Sequence, residues 1–437
     1  MELPGVGTPK ARQASLREHN LALVARSVFG AAEPPSRATV AAATGLTRAT
    51  VGSLVDQLVA GRVVAELAPS PGQVGRPAVP LVPAPRTVVG LGLEVNVDYV
   101  GVRALDLSGA TVAERHEDAR GVAGVVGADF SGSDPVRVLA RVGELAREVV
   151  AEVEADGMRL AGVRLALPGL VDARAGFLQV APNLGWESLA PVPLLGPLPA
   201  RVEIANEANL AGLAQLPFGQ FAASGHDGTT FVHVSGDVGI GAAIVLDGEL
   251  YLGRHGWAGE IGHVVVDPAG PRCRCGATGC LEQLAGKDAI LRGLGLDPGP
   301  GSTRPAGPEA DGAPAAGLAP VARALAAGGE TADRARAVVG RAGKALGTAL
   351  STLVNLLDLD TVLLGGVYEA LAEDLRPSLE AELRTRVLAS PWERIAVRPA
   401  PVAGYAALTG GARAVLRDLV QAPVEYLEHL GTTRAPS

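Results

Sequence analysis

Apolar residues recur at helical spacing near the start of the chain. In SLREHNLALVARSVFG (residues 15–30), Leu16, Leu21, Val24 and Val28 fall on one face. Pro34 and Pro35 end that element. Ser36 stands as an N-cap before RATVAAAT, and Gly45 breaks this second helix. Thr47 caps a third, RATVGSLVDQLVAGR, in which Val51, Leu54, Val55 and Leu58 form the buried stripe. Helix, short glycine-containing turn and helix predict a helix-turn-helix. VVAEL, the loop PSPGQVGRP and AVPLV then read as a two-stranded wing, with Pro83 and Pro85 as a linker.

From Thr87 the period changes. VVGLGLEV and VGVRALDLSG read as strands joined by a turn at residues 96–98, and residues 134–158 as a helix. LAGVRLALPGLVD is a strand ending in a turn, and VEIANEANLAGLAQL is a strand running into a helix. A hairpin pair over residues 229–253, a long helix over 335–357 and the strand TVLLGG follow. Strands alternating with helices predict an α/β body. Residues 293–316, rich in Gly, Pro and Ala, read as a surface insert, and no short-period repeat is present.

The 437 residues predict two to three domains, and 48% hydrophobic residues exclude global disorder. Aromatics are 3%, so the core must be built from Ala, Val and Leu. No apolar run reaches the roughly 18–20 residues of a membrane span, and MELPGVGTPKARQ lacks the apolar region of a secretory signal. A cytoplasmic protein is expected. Residues 1–89 carry nine basic and five acidic side chains, a net of +4, which leaves −12 on the rest of a chain of net −8. A basic head on an acidic body predicts a polyanion partner at one end only.

The three cysteines, Cys273, Cys275 and Cys280, lie within eight positions and cannot all pair within one chain. With His263 they make a complete tetrahedral set of four protein ligands, which predicts a structural Zn²⁺. Three reduced thiols and an unrelated His are the plainer reading. Against it, every cysteine of the chain is used, and Gly276 and Gly279 allow the tight turn. Glu260 stands three residues before His263, where the metal would fix the loop presenting it. It is either a surface Glu in a Gly-rich turn or a carboxylate for vicinal hydroxyls. Asn206-Glu207-Ala208-Asn209 sits at a strand–helix junction, where ligands of α/β folds gather and where Asn206 could equally be an N-cap. The Gly-rich turns Gly90–Asp98 and Ser235–Gly241 are not P-loops, since no GKS or GKT follows.

Together these stretches resemble the ROK family of bacterial sugar kinases and sugar-responsive repressors. GHVVVDPAGPRCRCGATGCLE is similar to the family's zinc motif, GRHGWAGEIGH to its sugar-loop signature, LALPGLVD…VAPNLGW to the strand and loop before the sugar pocket, and LDLDTVLLGG to a late turn on the nucleotide side. The resemblance implies an actin-like, two-subdomain body behind a winged helix-turn-helix. It implies an effector pocket of Asn183, Asn206, Glu207, Glu260, His263 and Glu282. The kinase pattern is broken in three places. Glu94-Val95-Asn96-Val97-Asp98 replaces Asp-x-Gly-Gly-Thr, and Ser235-Gly236-Asp237 replaces Gly-Thr-Gly. Glu207 stands where the kinases carry their catalytic Asp, one methylene too long. Lost catalysis with a retained sugar site is implied.

The helix from Arg48 is the expected recognition helix, with Thr47, Arg48, Thr50 and Ser53 toward base edges, Arg37 near phosphates and Arg76 at the groove from the wing. Ordinary solvated arginines are the alternative. The expected domains are 1–85 for the winged helix, 86–205 with the C-terminal helix 405–430 for the first subdomain, and 206–404 with the zinc motif for the second. The function expected is a sugar-responsive regulator, more a repressor than an activator. It would act on a near-palindromic double-stranded DNA operator as a homodimer or homotetramer, with no membrane partner. The rivals are an ATP-dependent sugar kinase with an accessory DNA-binding head, and a constitutive zinc-containing DNA binder without effector.

Overall fold

In the computed structural model, which describes residues 9–68, 79–125, 129–218, 229–236, 239–296 and 318–432, the chain opens with three helices. They are α1 (Pro9–Phe29), α2 (Arg37–Thr44) and α3 (Arg48–Ala60). Ser36 Oγ accepts from the Thr39 amide at 3.1 Å, and Thr47 Oγ1 from the Thr50 amide at 3.2 Å. Gly45 closes α2 in the left-handed conformation (φ +72°), its amide donating to Ala41 O. The strands β1 (Val64–Glu66) and β2 (Leu81–Pro83) pair antiparallel as the wing. Residues 69–78 of the wing loop, with Arg76, and most of the 293–316 stretch lie outside the described residues.

The body holds two five-stranded sheets of the same design. The first contains β3 (Val88–Val95), β4 (Tyr99–Asp106), β5 (Thr111–Asp118), then, after α4 (Pro135–Ala155), β6 (Arg159–Leu167). A small antiparallel meander follows, β7 (Leu170–Asp172), β8 (Phe177–Ala181) and β9 (Trp186–Leu189), before the last strand, β10 (Val202–Asn206), which leads into α5 (Glu207–Leu213). The second contains β11 (Phe231–Gly236), β12 (Ile240–Leu246) and β13 (Glu249–Leu250). After the cysteine-bearing loop come α6 (Glu282–Ala285), α7 (Lys287–Gly293), α8 (Ala319–Ala326) and α9 (Gly329–Leu357). The strand β14 (Thr361–Gly366) leads to α10 (Val367–Ala370), α11 (Ala372–Arg386) and the strand β15 (Ala396–Pro399). The helices α12 (Ala406–Gln421) and α13 (Pro423–Thr432) end the described chain.

The strand orders are β10-β6-β3-β4-β5 and β13-β12-β11-β14-β15. Each is an antiparallel triplet continued by two parallel strands. The chain therefore repeats a topology without repeating a sequence. Val89, Leu91, Leu93 and Val95 point from β3 to a core with Val138, Val142, Leu145 and Val149 of α4. Val232 and Val234 of β11 and Val362 and Leu364 of β14 do the same with α9 and α11. The helix that follows each sheet packs on the other: α5 lies on β11 and β12, and α12 on β3, β4 and β6. Two such sheets, each covered by the helix that follows the other, are the actin-like arrangement. The whole is an α/β body behind a winged helix-turn-helix.

The stretch read as a linker is packed. Ala84 is buried, its amide donates to Val63 O, and Val88 is fully covered. Leu21, Val24, Val28 and Leu58 of the head share one apolar cluster with Leu105 and Leu107 of β4 and its following turn and with Leu416, Leu419 and Val420 of α12. Arg62 donates to Gly157 O at 3.1 Å, and Arg86 pairs with Asp156 at 2.7 Å. The head is fastened to the first sheet and α12 rather than tethered.

Candidate functional site

The four residues His263, Cys273, Cys275 and Cys280 come together, one ligand atom from each lying within 4.8 Å of all the others. Cys275 Sγ and Cys280 Sγ are 3.6 Å apart, and Cys273 Sγ and His263 Nδ1 3.8 Å. The edge of a tetrahedron around a zinc with bonds of about 2.3 Å is about 3.8 Å. These distances fit a metal bridging them, and three thiolates with one imidazole fit a soft, borderline ion. The backbone forms a knuckle that aims the sulfurs inward: the Cys273 amide donates to Ala277 O, and Gly276 and Gly279 take φ of +96° and +75°. Among the described residues this set could hold a metal ion with no position left open.

The knuckle anchors both ends of an acidic wall. Glu260 enters the short 3-10 turn that carries His263, and Glu282 opens α6 two residues after Cys280. A Cβ placed on Gly239 would lie 3.0 Å from Glu282 Oε2 and 3.2 Å from Asn183 Nδ2. The carboxylate held by the second sheet and the amide held by the meander of the first therefore converge above Gly239. Burial raises the Glu282 carboxyl above its ordinary range, with His263 and the Ile240 amide opposing. Glu260 reaches solvent, yet the protein packed around it raises its carboxyl too; His263 opposes this and Glu282 adds to it.

Asn206 ends β10 at the carboxyl edge of the first sheet, where ligands of such folds collect. Both readings of it hold in geometry. Its Oδ1 caps α5 by accepting from the Asn209 amide at 3.1 Å, and its Nδ2 donates to Gly169 O at 2.9 Å. It thus ties the turn before β7 to the helix that carries half-buried Glu207. Sequence reasoning passed over Asn209, which is 4% exposed and whose Oδ1 has no partner among the described residues. Its signal was the second Asn of Asn206-Glu207-Ala208-Asn209.

The turn at 94–98 spends its own amides. Asn96 N donates to Tyr99 O, and Asp98 N to Asn96 Oδ1 at 3.1 Å, an Asx turn. A phosphate cradle needs such amides free and no carboxylate beside them; here Glu94 and Asp98 are both buried. At the other turn, Asp237 lies outside the described residues. Above neighbouring Gly236 sits the ring of Tyr368, fully buried, its hydroxyl donating to Ala285 O at 3.0 Å.

In the head, Arg48 and Ser53 stand exposed on α3, while the hydroxyls of Thr47 and Thr50 engage each other at 2.8 Å at its N-terminus. Arg37 is half-buried and ion-paired. Its guanidinium meets Asp56 at 2.7 Å, Glu66 at 2.9 Å and Gly52 O at 3.1 Å, binding α2 to α3 and the wing. No helix of the described residues is long and apolar enough to cross a membrane.

Comparison with known proteins follows the same lines. The model of the ROK family matches residues 142–418. The xylose repressor of Bacillus subtilis is 29% identical over 264 residues, 60% of this chain and 64% of that protein, so the match spans just under two thirds of the relative's length. The DNA-binding transcriptional dual regulator NagC of Escherichia coli is 26% identical over 364 residues, 81% of this chain and 82% of NagC. The crystal structure of a ROK family transcriptional regulator, a homologue of the E. coli MLC protein, superposes with a TM-score of 0.72 at 25% identity. The superposition covers 94% of this chain and 99% of that one.

Proposed function

The chain belongs to the ROK family, and on that premise we propose that it is a cytoplasmic, sugar-responsive transcriptional repressor of carbohydrate genes. Residues 1–85 bind a double-stranded operator. Residues 86–205 with 405–430, and residues 206–404, form the two walls of a sugar cleft. A structural Zn²⁺ on His263, Cys273, Cys275 and Cys280 holds the wall that presents Glu260 and Glu282. The metal supplies rigidity only, because no coordination position is left for a substrate.

One observation supports the coupling most directly. The cluster that fastens the head runs into α12, and α12 packs along α5, which Asn206 caps and Glu207 opens at the proposed cleft. A ligand held by both walls, through Asn183 and Asn206 on one side and Glu260 and Glu282 on the other, favours the closed cleft. It shifts the equilibrium by its differential affinity for closed and open states. The occupied amides and buried carboxylates of the 94–98 turn speak against the kinase reading, although Glu207 keeps a carboxylate in place.

The test is operator affinity with and without sugar, after thermal-shift screening of a sugar panel. The wild type should lose about 5–150-fold in operator affinity when the effector is added. Arg48→Ala should bind operator weakly and keep the sugar-induced thermal shift. Glu260→Ala should bind operator normally and ignore the sugar. Turnover of Mg-ATP that disappears in Glu207→Gln would establish the kinase instead.

A further inference from the structure

A loop leaves the edge of the second sheet just before Glu260. The Tyr251 amide donates to Ile244 O and the Ala242 amide to Gly259 O, so the chain runs beside β12 both before and after residues 253–258. The Ala258 amide closes the loop on Leu252 O at 3.3 Å. A Cβ placed on Gly256 would lie 3.4 Å from Val171 O of β7. The loop therefore reaches the meander of the first sheet, whose β8–β9 turn carries Asn183. Beside that contact stands Trp257, 36% exposed and a member of none of the apolar clusters of the described residues. The ring of exposed His255 lies 5.0 Å from it, tilted by 31°. An indole and an imidazole thus form an aromatic platform next to the two walls that present Asn183 and Glu260, and no core of the protein uses it.

We propose that Trp257 and His255 form a second subsite, which stacks a further pyranose ring linked glycosidically to the ring held by Glu260 and Glu282. The effector is then a disaccharide or a longer oligosaccharide. The inference rests on the sugar-cleft reading and extends it. Three residues of chain span at most about 10 Å, so a ring on Trp257 adjoins a ring held by Glu260. A single ring in the pocket would leave Trp257 in water. The chemistry selects a sugar over other flat partners. A pyranose turns a face of C–H groups to one side and carries hydroxyls around its edge. The indole takes that face, and covering it removes apolar surface from water. Exposed Arg254 and His255 supply donors beside it, and hydroxyls replace the water these groups would lose. A purely aromatic aglycone would leave those donors unmatched.

Calorimetry on the full chain separates the two subsites when it uses matched sugars: xylose with xylobiose, glucose with cellobiose and with maltose, N-acetylglucosamine with its β-1,4 dimer. In the set that binds, the disaccharide should bind about tenfold more tightly than its monosaccharide. Trp257→Ala should abolish that gain and leave the monosaccharide's affinity and the sugar-free operator affinity unchanged. Trp257→Phe, which keeps an aromatic face, should retain most of the gain. An unchanged melting temperature without sugar checks that the variants fold. Disaccharides that bind no better than the monosaccharide would overturn the proposal, as would a Trp257→Ala variant that weakens both alike. So would an aryl glycoside that outbinds the disaccharide and loses its advantage in Trp257→Ala. Failure of the sugar-cleft reading shows differently, as a wild type that binds no member of any set or a Glu260→Ala variant that binds both unchanged; the second subsite falls with it.

Discussion

Two glycine-to-alanine substitutions, chemically identical and both in helix interiors, should move stability in opposite directions. At Gly340, in α9, an added Cβ meets no atom within 4 Å. Alanine there gains only its intrinsic advantage in a helix, about 0.5–1 kcal/mol. At Gly410, in α12, the added Cβ would fall 1.8 Å from Leu210 O of α5, with the carbonyl carbon and Cα of Leu210 next in line. Leu210 O is already the acceptor of the Ala214 amide, so neither partner is a side chain that can turn away. Ordinary contact requires the two helices to part by more than 1 Å. Overpacking of that kind costs about 1–3 kcal/mol, and it exceeds the propensity gain of about 1 kcal/mol. Guanidinium unfolding should show the midpoint rising for Gly340→Ala and falling for Gly410→Ala. Since α12 lies between the cleft helix and the head, Gly410→Ala should also weaken release of the operator by sugar while sugar binding persists. Equal upward shifts in both variants would mean that α5 and α12 do not cross at this distance, and the proposed route between cleft and head would fall with it.

Cys275→Ser should lose the single zinc, measured by metal analysis, and with it the sugar-induced thermal shift, because the knuckle no longer holds Glu260 and Glu282; a variant with full zinc would refute the ligand set. Binding of Mg-ATP, followed by calorimetry, should be undetectable in the wild type. His233 is fully buried with both ring nitrogens unpartnered among the described residues, and burial lowers its pKa to about 4. The stability tied to its neutral form is complete above about pH 6.5 and lost as pH falls toward 4, about 2 kcal/mol by pH 5; His233→Leu should flatten that part of the stability–pH curve.

What the sequence made legible is what is decided within a few residues. Ser36, Gly45 and Thr47 act at the helix ends where their side chains or conformational freedom place them. The metal set was legible for a similar reason: close sequence spacing and two glycines leave the chain little choice. Features decided by distant partners were not. The strand β5 (TVAERHED) reads as a polar run, because at the sheet edge its charges are met from other elements. Glu114 pairs with Arg103 at 2.6 Å, and Arg115 with Glu152 at 2.6 Å. The meander strands are short and set among Gly and Pro. Arg37 gives no local hint that Asp56 and Glu66 will claim it. The stretch around Pro83 and Pro85 looks like a linker only until Val88, just beyond it, joins the cluster that α12 brings back from the far end of the chain.

That return shapes how the proposed repressor must work. A head on a flexible linker would not register closure of the cleft, because the linker would absorb it. Here the head shares a core with the first sheet and α12, and Arg62 and Arg86 bind it to the α4–β6 turn, so it must move with that sheet as one body. Closure turns the first sheet relative to the second. In the pair of chains that two operator half-sites require, each head moves with its own first sheet relative to the second. The heads sit at the ends of the moving arms. A small rotation at the cleft, multiplied by the length of α12, then becomes a change in the separation of the two recognition helices. The spacing of DNA half-sites tolerates little such change. Exchange of α5 and α12 between the sheets serves the same end: each wall carries a helix packed on the other, so neither can turn without moving its neighbour.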